Sequence, residues 1–214
     1  MAKALDVIGD RWSLLIVREL ALRACRYSDL QDGLPGISTN LLADRLRELE
    51  QHGVILRREP EPPVATAVFE LTEHGQGLVP LLKGLMSWGT RYMMAGPAPE
   101  DSFRIRWMTW PAETFLQDAD TEAGQLRIKV DTGEEAATIL AGAAGVSVGP
   151  LGEGPWDATL TGTPHLLLGL FMGLVELDAA LQAGVRIDGE RSAVERLLSA
   201  GAASDAPRAG ALAR

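Results

Sequence analysis

The stretch from residue 27 to residue 53 constrains the fold most strongly. Apolar residues recur at helical spacing over 27–34, and the dipeptide Pro35-Gly36 then ends the pattern. Ser38 can cap a second helix, which ends near Gly53 and carries its leucines on one face. Two helices joined by a tight turn that contains glycine predict a helix-turn-helix.

The segments on either side complete this unit. Asp10 can cap a preceding helix, and residues 54–58 and 67–71 have the pattern of a two-stranded ribbon. Thr72 can cap a last helix that runs to about residue 94 with a kink at Pro80. We therefore predict a mainly α winged helix-turn-helix domain over residues 1–95. A plain helical bundle with a solvated, charged face is the alternative.

A recognition helix in this fold buries one face on its own domain and presents small polar and cationic side chains to the major groove. Ser38, Thr39 and Asn40 lie at the start of the predicted helix, where side chains can reach base edges. The candidate DNA contacts are Arg26, Ser38, Thr39, Asn40, Arg45, Arg47, Arg57 and Arg58.

Four segments carry a resemblance to a known family: IGDRWSLLIVREL, CRYSDL, LPGISTNLLADRLRELEQHGVILR and ELTEHGQGLVPLLKGLMSWG. In this order they resemble the motifs of HxlR-type transcription regulators, winged-helix proteins related to the MarR group. The resemblance covers residues 4–92 and implies a homodimer that binds double-stranded DNA. It implies residues 38–47 as recognition helix, residues 57–69 as wing, and dimerisation through the first and last helices.

One feature departs from the family. Its wing is usually basic near paired prolines, whereas the turn here carries Glu59 and Glu61. Phosphate repels such a tip, so we expect the recognition helix to contribute more to DNA binding than the wing.

The last helix of this domain has an apolar stripe wider than one small domain buries. Its candidate dimer contacts are Leu81, Leu85, Trp88 and Tyr92. A wide stripe on a terminal helix predicts a partner helix from a second copy of the chain. Cover by the C-terminal domain is the alternative.

Charge and cysteine content limit the classes of protein. Residues 1–95 hold 11 basic and 12 acidic residues, whereas residues 96–214 hold 9 and 17. This acidic balance argues against indiscriminate nucleic-acid binding. The single Cys25 excludes an internal disulfide and fits a reducing compartment. Basic neighbours could activate its thiol as a sensor, and an inert, partly buried residue is the alternative.

The longest uncharged apolar run, residues 166–175, is much shorter than the roughly 20 residues that span a bilayer. The first residues also lack the pattern of a signal peptide. We therefore expect a soluble, cytoplasmic protein with no membrane partner.

A linker at residues 95–102 precedes a change of pattern. Period-two alternation at 104–110, 126–130, 158–161 and 185–188 predicts strands, and helices near 112–117, 164–182 and 192–198 can cover one face of their sheet. Residues 102–201 therefore form a predicted α+β domain, and residues 202–214 a flexible tail.

Residues 157–198 resemble the sterol carrier protein-like fold in the order strand, apolar helix, short helix, strand and final helix. The resemblance implies an apolar cavity for a lipid or another hydrophobic small molecule. Gly169 and Gly173, four apart on the predicted helix, would leave a groove on it. The candidate ligand contacts are Trp107, Trp110, Phe115, Trp156, Leu167, Leu168, Phe171 and Met172. For each of them, a place in a closed core is the alternative.

The three histidines, His52, His74 and His165, are scattered and belong to no nucleophile motif or metal-ligand spacing. We therefore expect no enzyme activity, no cofactor and no metal site. The sequence favours a ligand-responsive homodimeric transcription regulator that binds a pseudo-palindromic operator. The alternative is a hydrophobic-ligand carrier or scavenger that uses its winged helix only to dimerise.

Overall fold

The structure is a computed structural model that describes residues 1–59, 66–90 and 102–198. The chain divides into two compact units, Met1–Ser87 and Trp88–Arg214. Residues 95–101 of the predicted linker, the predicted dimer contact Tyr92 and the predicted tail lie outside the described residues, so those domain boundaries stay predictions. No helix of the described residues is long and apolar enough to cross a membrane.

The first unit is a set of helices with a small antiparallel sheet, and its last helix extends three residues past the boundary at Ser87. In chain order its elements are α1 (Ala2–Ile8), α2 (Arg11–Leu22), β1 (Cys25–Arg26), α3 (Tyr27–Gly33), α4 (Thr39–Gln51), β2 (Ile55–Arg58), β3 (Val68–Leu71), α5 (Glu73–Gln76) and α6 (Val79–Thr90). The strands are ordered β1-β3-β2, and Arg57 pairs with Phe69 across the ribbon. This order of elements confirms the predicted winged helix-turn-helix.

Local signals in the sequence start the main helices where they were predicted. The carboxylate of Asp10 accepts hydrogen bonds from the N–H groups of Trp12 and Ser13 at the start of α2. Ile16, Val17 and Leu20 of that helix are buried. Each cap satisfies backbone donors that have no partner inside the helix.

The predicted long helix after Thr72 is two helices. The Thr72 hydroxyl accepts the Gly75 N–H at 3.0 Å and starts α5, and Gly77 is the C-cap of this helix. Pro80 then lies in the first turn of α6, where its missing N–H leaves no hydrogen bond unmade. The predicted kink inside one helix is therefore wrong.

The second unit is an α+β structure. Its elements are a 3-10 helix (Ile105–Met108), α7 (Thr109–Phe115), a second 3-10 helix (Thr121–Ala123), β4 (Leu126–Asp131), β5 (Ala136–Gly142), β6 (Gly145–Pro150), β7 (Ala158–Thr161), α8 (Pro164–Phe171), α9 (Leu177–Gln182), β8 (Arg186–Gly189) and α10 (Arg191–Leu198). The sheet order is β6-β5-β4-β7-β8, with β4 and β7 parallel and the other neighbours antiparallel.

One face of this sheet packs on the helices. Leu126, Ile128 and Val130 alternate on β4 and belong to a buried cluster with Leu167 of α8 and Val194 of α10. The residues between them on β4 are half-buried and point to the opposite face. The predicted alternation of this strand is confirmed.

The predicted strand at residues 104–110 is wrong. The Ile105 N–H donates to a carboxylate oxygen of Glu135 at 2.6 Å, and the chain then forms the 3-10 helix and α7. Ile105, Met108 and Ala112 also share one face of a helix, and the last two are buried. A seven-residue alternation cannot separate the two arrangements, and Pro111 fits the first turn of α7.

The predicted helix over 164–182 is divided between α8 and α9. Gly173 follows the end of α8 with φ of +67°, a left-handed conformation that closes the helix. Gly169 remains on α8, but a Cβ there would lie 3.1 Å from a methyl group of Val175. The predicted groove is therefore wrong, because Val175 of the same chain occupies the space beside Gly169.

Candidate DNA-binding surface

The recognition helix α4 buries its leucines and exposes its start. Leu42, Leu46 and Leu49 are buried, whereas Thr39 and Asn40 are exposed. The Ser38 hydroxyl accepts the Leu41 N–H at 3.3 Å, so this side chain starts the helix. Thr39 and Asn40 are the residues of this segment that remain available to base edges.

A hydrogen bond joins the two helices of the motif. The Tyr27 hydroxyl at the start of α3 donates to the Thr39 carbonyl at 2.7 Å. This bond holds the first residue of the recognition helix at a fixed place beside α3. Sequence reasoning missed it, because the two residues are twelve apart and no local pattern marks the pair.

Arg45 lies on the inner side of α4. Its Nε is 3.6 Å from a carboxylate oxygen of Asp10, it forms an ion pair with Glu48, and its side chain is 29% exposed. Partial burial raises the pKa of the Asp10 carboxyl. Hydrogen bonds from Ser13 and Trp12 and the charge of Arg45 outweigh this and hold that pKa below its ordinary value. Arg45 therefore ties α4 to the start of α2.

The other arginines predicted on α4 and on the ribbon also have acidic partners. Arg47 is 2.8 Å from Asp44, one turn earlier on the exposed side of α4. Arg57 is 2.9 Å from Glu59. Arg58 forms an ion pair with Glu70 of β3. Like the partners of Arg45, these acids were absent from the predicted site.

Arg26 differs from this group. It is exposed, and its guanidinium has no ion-pair partner among the residues that the structure describes. It borders a groove of about 480 Å³ beside the ribbon. Among the described residues, the groove is lined by Arg26, Tyr27, Ser28, Arg57, Thr66, Ala67 and Phe69.

The predicted ligand contacts of the second unit do not form one surface. Leu167 and Phe171 belong to the closed core, and Trp110 and Met172 are buried. Trp107, Phe115 and Leu168 are half-buried. The ring of Trp156 lies 5.9 Å from the Lys129 ammonium, which places it on the opposite face of the sheet from Leu167.

The predicted dimer contacts on α6 are exposed where they are described. Leu81 is 65%, Leu85 50% and Trp88 61% exposed. Their spacing of four and three residues puts them on one face of the helix. Helix α1 also contains no buried residue, and Leu5 on it is 53% exposed.

Cys25 is 1% exposed, and its sulfur lies 3.4 Å from the Arg23 carbonyl oxygen. A buried thiol is poorly placed to meet an oxidant in solvent. This location favours the inert interpretation.

The fold and the exposed start of α4 define a winged helix-turn-helix protein. The HxlR-like helix-turn-helix family matches residues 7–97. The chain is 38% identical over 92 residues to the HTH-type transcriptional regulator YvaP of Bacillus subtilis, across 42% of this chain and 84% of that protein. It is 33% identical over 97 residues to the HTH-type transcriptional regulator YodB of the same organism, across 45% and 86%.

The solved structure of reduced YodB is similar with a TM-score of 0.41 and 32% identity, over 45% of this chain and 95% of that one. The identity to YvaP across most of its length places the chain in the HxlR-like helix-turn-helix family. It is a transcription regulator of HxlR type. The family match ends at residue 97, so most of the second unit lies outside it.

Proposed function

We propose that the protein is a homodimeric regulator that inserts two copies of α4 into successive major grooves of a pseudo-palindromic operator. The observation that carries this proposal is the start of α4, where Thr39 and Asn40 are exposed above a face of three buried leucines. Small polar side chains at this place can reach base edges, whereas the buried face fixes the direction of the helix.

The exposed face of α6 and the unburied α1 support a dimer. Leu81, Leu85 and Trp88 would lose their exposed apolar area against a second copy. A two-fold dimer presents two recognition helices, and half-sites about 34 Å apart would match one turn of DNA.

The second unit, residues 102–201, is proposed to bind a hydrophobic small molecule or lipid. The order β7, α8, α9, β8 and α10 supports a sterol carrier protein-like arrangement. Since Leu167 and Phe171 belong to the core, the half-buried Trp107, Phe115 and Leu168 are the better ligand contacts. Such a ligand alters DNA affinity only if it binds the DNA-competent and incompetent states unequally.

Footprinting of the purified protein on the DNA upstream of its own gene tests the regulator. We expect protection of an inverted repeat at moderate salt, with both half-sites protected over the same range of protein concentration. Native mass spectrometry of the same preparation reports the dimer mass and any co-purified small molecule. A dimer that carries a hydrophobic molecule but protects no DNA would contradict the regulator and favour the carrier.

A further inference from the structure

The groove beside the ribbon has the chemistry of an oxyanion site. The described residues that line it include two arginines, Arg26 and Arg57, and no acid. The hydroxyl groups of Ser28 and Thr66 are further donors on its wall. Such a wall suits a phosphate group, which accepts several hydrogen bonds and carries negative charge.

Charge singles out Arg26 within the predicted interface. Arg45, Arg47, Arg57 and Arg58 each have an acid of the same chain within ion-pair distance. The Arg26 guanidinium has none in the described part of the chain, since the neighbouring carboxylate of Asp29 accepts the backbone N–H of Arg26 at 2.9 Å and pairs with Arg23. A phosphate near Arg26 gains attraction without first displacing a carboxylate.

The groove also has a fixed relation to the recognition helix. Tyr27 lines the groove, and its hydroxyl donates to the Thr39 carbonyl at 2.7 Å. The side chain of Tyr27 therefore connects a phosphate held in the groove to Thr39, the first residue of α4. Phosphate contacts fix the register of a protein on the duplex, and this bond would pass that register to the helix.

We propose that this groove seats one phosphate of the operator backbone in each half-site and so sets the register of α4 on the bases. The proposal rests on the regulator function proposed above. It gives Ser28, Thr66 and Tyr27 a role that the sequence did not indicate, and it makes Arg26 the main backbone contact.

Methylphosphonate scanning of the operator tests this site. Each backbone phosphate is replaced in turn by a neutral methylphosphonate, and the affinities of the full-length wild-type and Arg26→Gln proteins are measured. We expect wild-type protein to lose about tenfold in affinity at one phosphate per half-site. Arg26→Gln should bind unmodified operator about as weakly and be insensitive to that same substitution, because the two changes remove the same contact.

Salt dependence gives a second readout. Arg26→Gln should make the slope of log K against log salt concentration shallower by about 1 per protomer, with a similar loss on operator and on unrelated duplex. Arg186→Gln is the matched control, because Arg186 is an exposed cation of the second unit and its loss changes the net charge equally. The control should keep the wild-type slope and affinity, and thermal melts should show that both variants are folded.

Competition with inorganic phosphate at constant ionic strength separates the operator backbone from a free anion as the source of phosphate. Suppose that inorganic phosphate binds in the groove, while Arg26→Gln still loses DNA affinity at every methylphosphonate position at which wild-type protein loses it. The groove is then a site for small anions, and the proposal is overturned. An unchanged salt slope in Arg26→Gln overturns it as well. Failure of wild-type protein to bind any duplex contradicts the regulator function itself and is distinguishable from both results.

Discussion

Asp44 and Arg47 lie one turn apart on the exposed side of α4, with 2.8 Å between carboxylate and guanidinium. Their mutual attraction competes with the attraction of Arg47 for a phosphate. The same competition applies to Arg57 and Glu59 on the ribbon. In the proposed DNA complex these acids would lower the general affinity of the surface for DNA and leave the proposed contacts to base edges unaffected.

Asp44→Asn should tighten DNA binding. The variant releases Arg47, and we expect affinity to rise about three- to fivefold, as for a surface charge interaction of up to about 1 kcal/mol. Because the gain is electrostatic, it should appear on operator and unrelated duplex alike and fade as salt is raised. Fluorescence anisotropy with both duplexes at several salt concentrations measures it.

Asp188→Asn serves as the control, since it removes one negative charge from an exposed position of the second unit. It should leave the affinity within about twofold of wild type, because it changes the net charge equally and leaves the ion pair of Arg47 with Asp44 intact. If Asp44→Asn binds no more tightly than this control, Arg47 does not face the DNA.

The ion pair of Asp118 with Arg196 makes the stability of the second unit depend on pH. Two hydrogen bonds of 2.6 Å from Arg196 reach the carboxylate of Asp118, whose side chain is 1% exposed. These bonds hold the pKa of Asp118 below its ordinary value of 3.8, although burial raises it. A depressed folded-state pKa stabilises the fold above the unfolded value and ceases to do so as the pH falls through the folded value.

Asp118→Asn should therefore lower the free energy of unfolding most at neutral pH. The difference from wild type should begin to shrink as the pH falls below about 3.8, where the carboxyl of the unfolded wild-type chain takes up a proton, and it should be lost as the pH falls through the lower folded-state pKa. Urea unfolding between pH 2.5 and 7 measures both curves. Glu122→Gln, at an exposed carboxylate, should follow wild type, and a difference for Asp118→Asn that does not vary with pH would contradict this account.

Some residues of the candidate site were predictable from the sequence because their roles depend on neighbours in the chain. Ser38 as a cap and Thr39 and Asn40 as exposed residues follow from the start of one helix. The ion pair of Arg45 with Asp10 joins residues 35 positions apart, so its inward position could not be read from helical spacing. By contrast, Asp44 and Glu48 lie three positions from Arg47 and Arg45, a spacing that indicates ion pairs on one helix.

The same difference between local and distant partners explains which helices and strands could be predicted. Helix α4 was predicted because its cap and its leucines agree, whereas β5 and β6 were missed. Ala137, Thr138 and Ile139 of β5 are buried in succession, so the strand shows no alternation, and β6 is rich in glycine. Pairing on both edges of β5 decides its structure, and those partners are visible only in three dimensions.

Gly173→Ala should destabilise the second unit. A side chain at φ of +67° is strained, and we expect a cost of about 1 kcal/mol in the free energy of unfolding. Gly173→Asn should cost less, because asparagine adopts this conformation more readily than alanine. Urea unfolding compares the three proteins, and equal stabilities for the wild type and both variants would show that the turn does not require glycine.

At the scale of the whole molecule, the acidic excess of residues 96–214 keeps general attraction to DNA weak. In the proposed regulator, specific binding would then depend on a small number of contacts to the operator. This requirement favours a dimer, because two linked half-sites raise the affinity without a new contact on either protomer. The exposed face of α6 is the part of the first unit best suited to such an interface.

Leu85→Glu should dissociate the dimer and weaken operator binding. Leu85 is 50% exposed between Leu81 and Trp88, and a carboxylate there would lose water on association without a partner. We expect the dimer dissociation constant to rise by at least about tenfold, as measured by native mass spectrometry. Leu151→Glu makes the same change at a leucine of the second unit that is 46% exposed, and it should remain a dimer.

Binding to the palindromic operator should fall in Leu85→Glu, while binding to a single half-site should not, because each protomer keeps its own α4. A Leu85→Glu protein that keeps the wild-type mass and operator affinity would place the interface elsewhere.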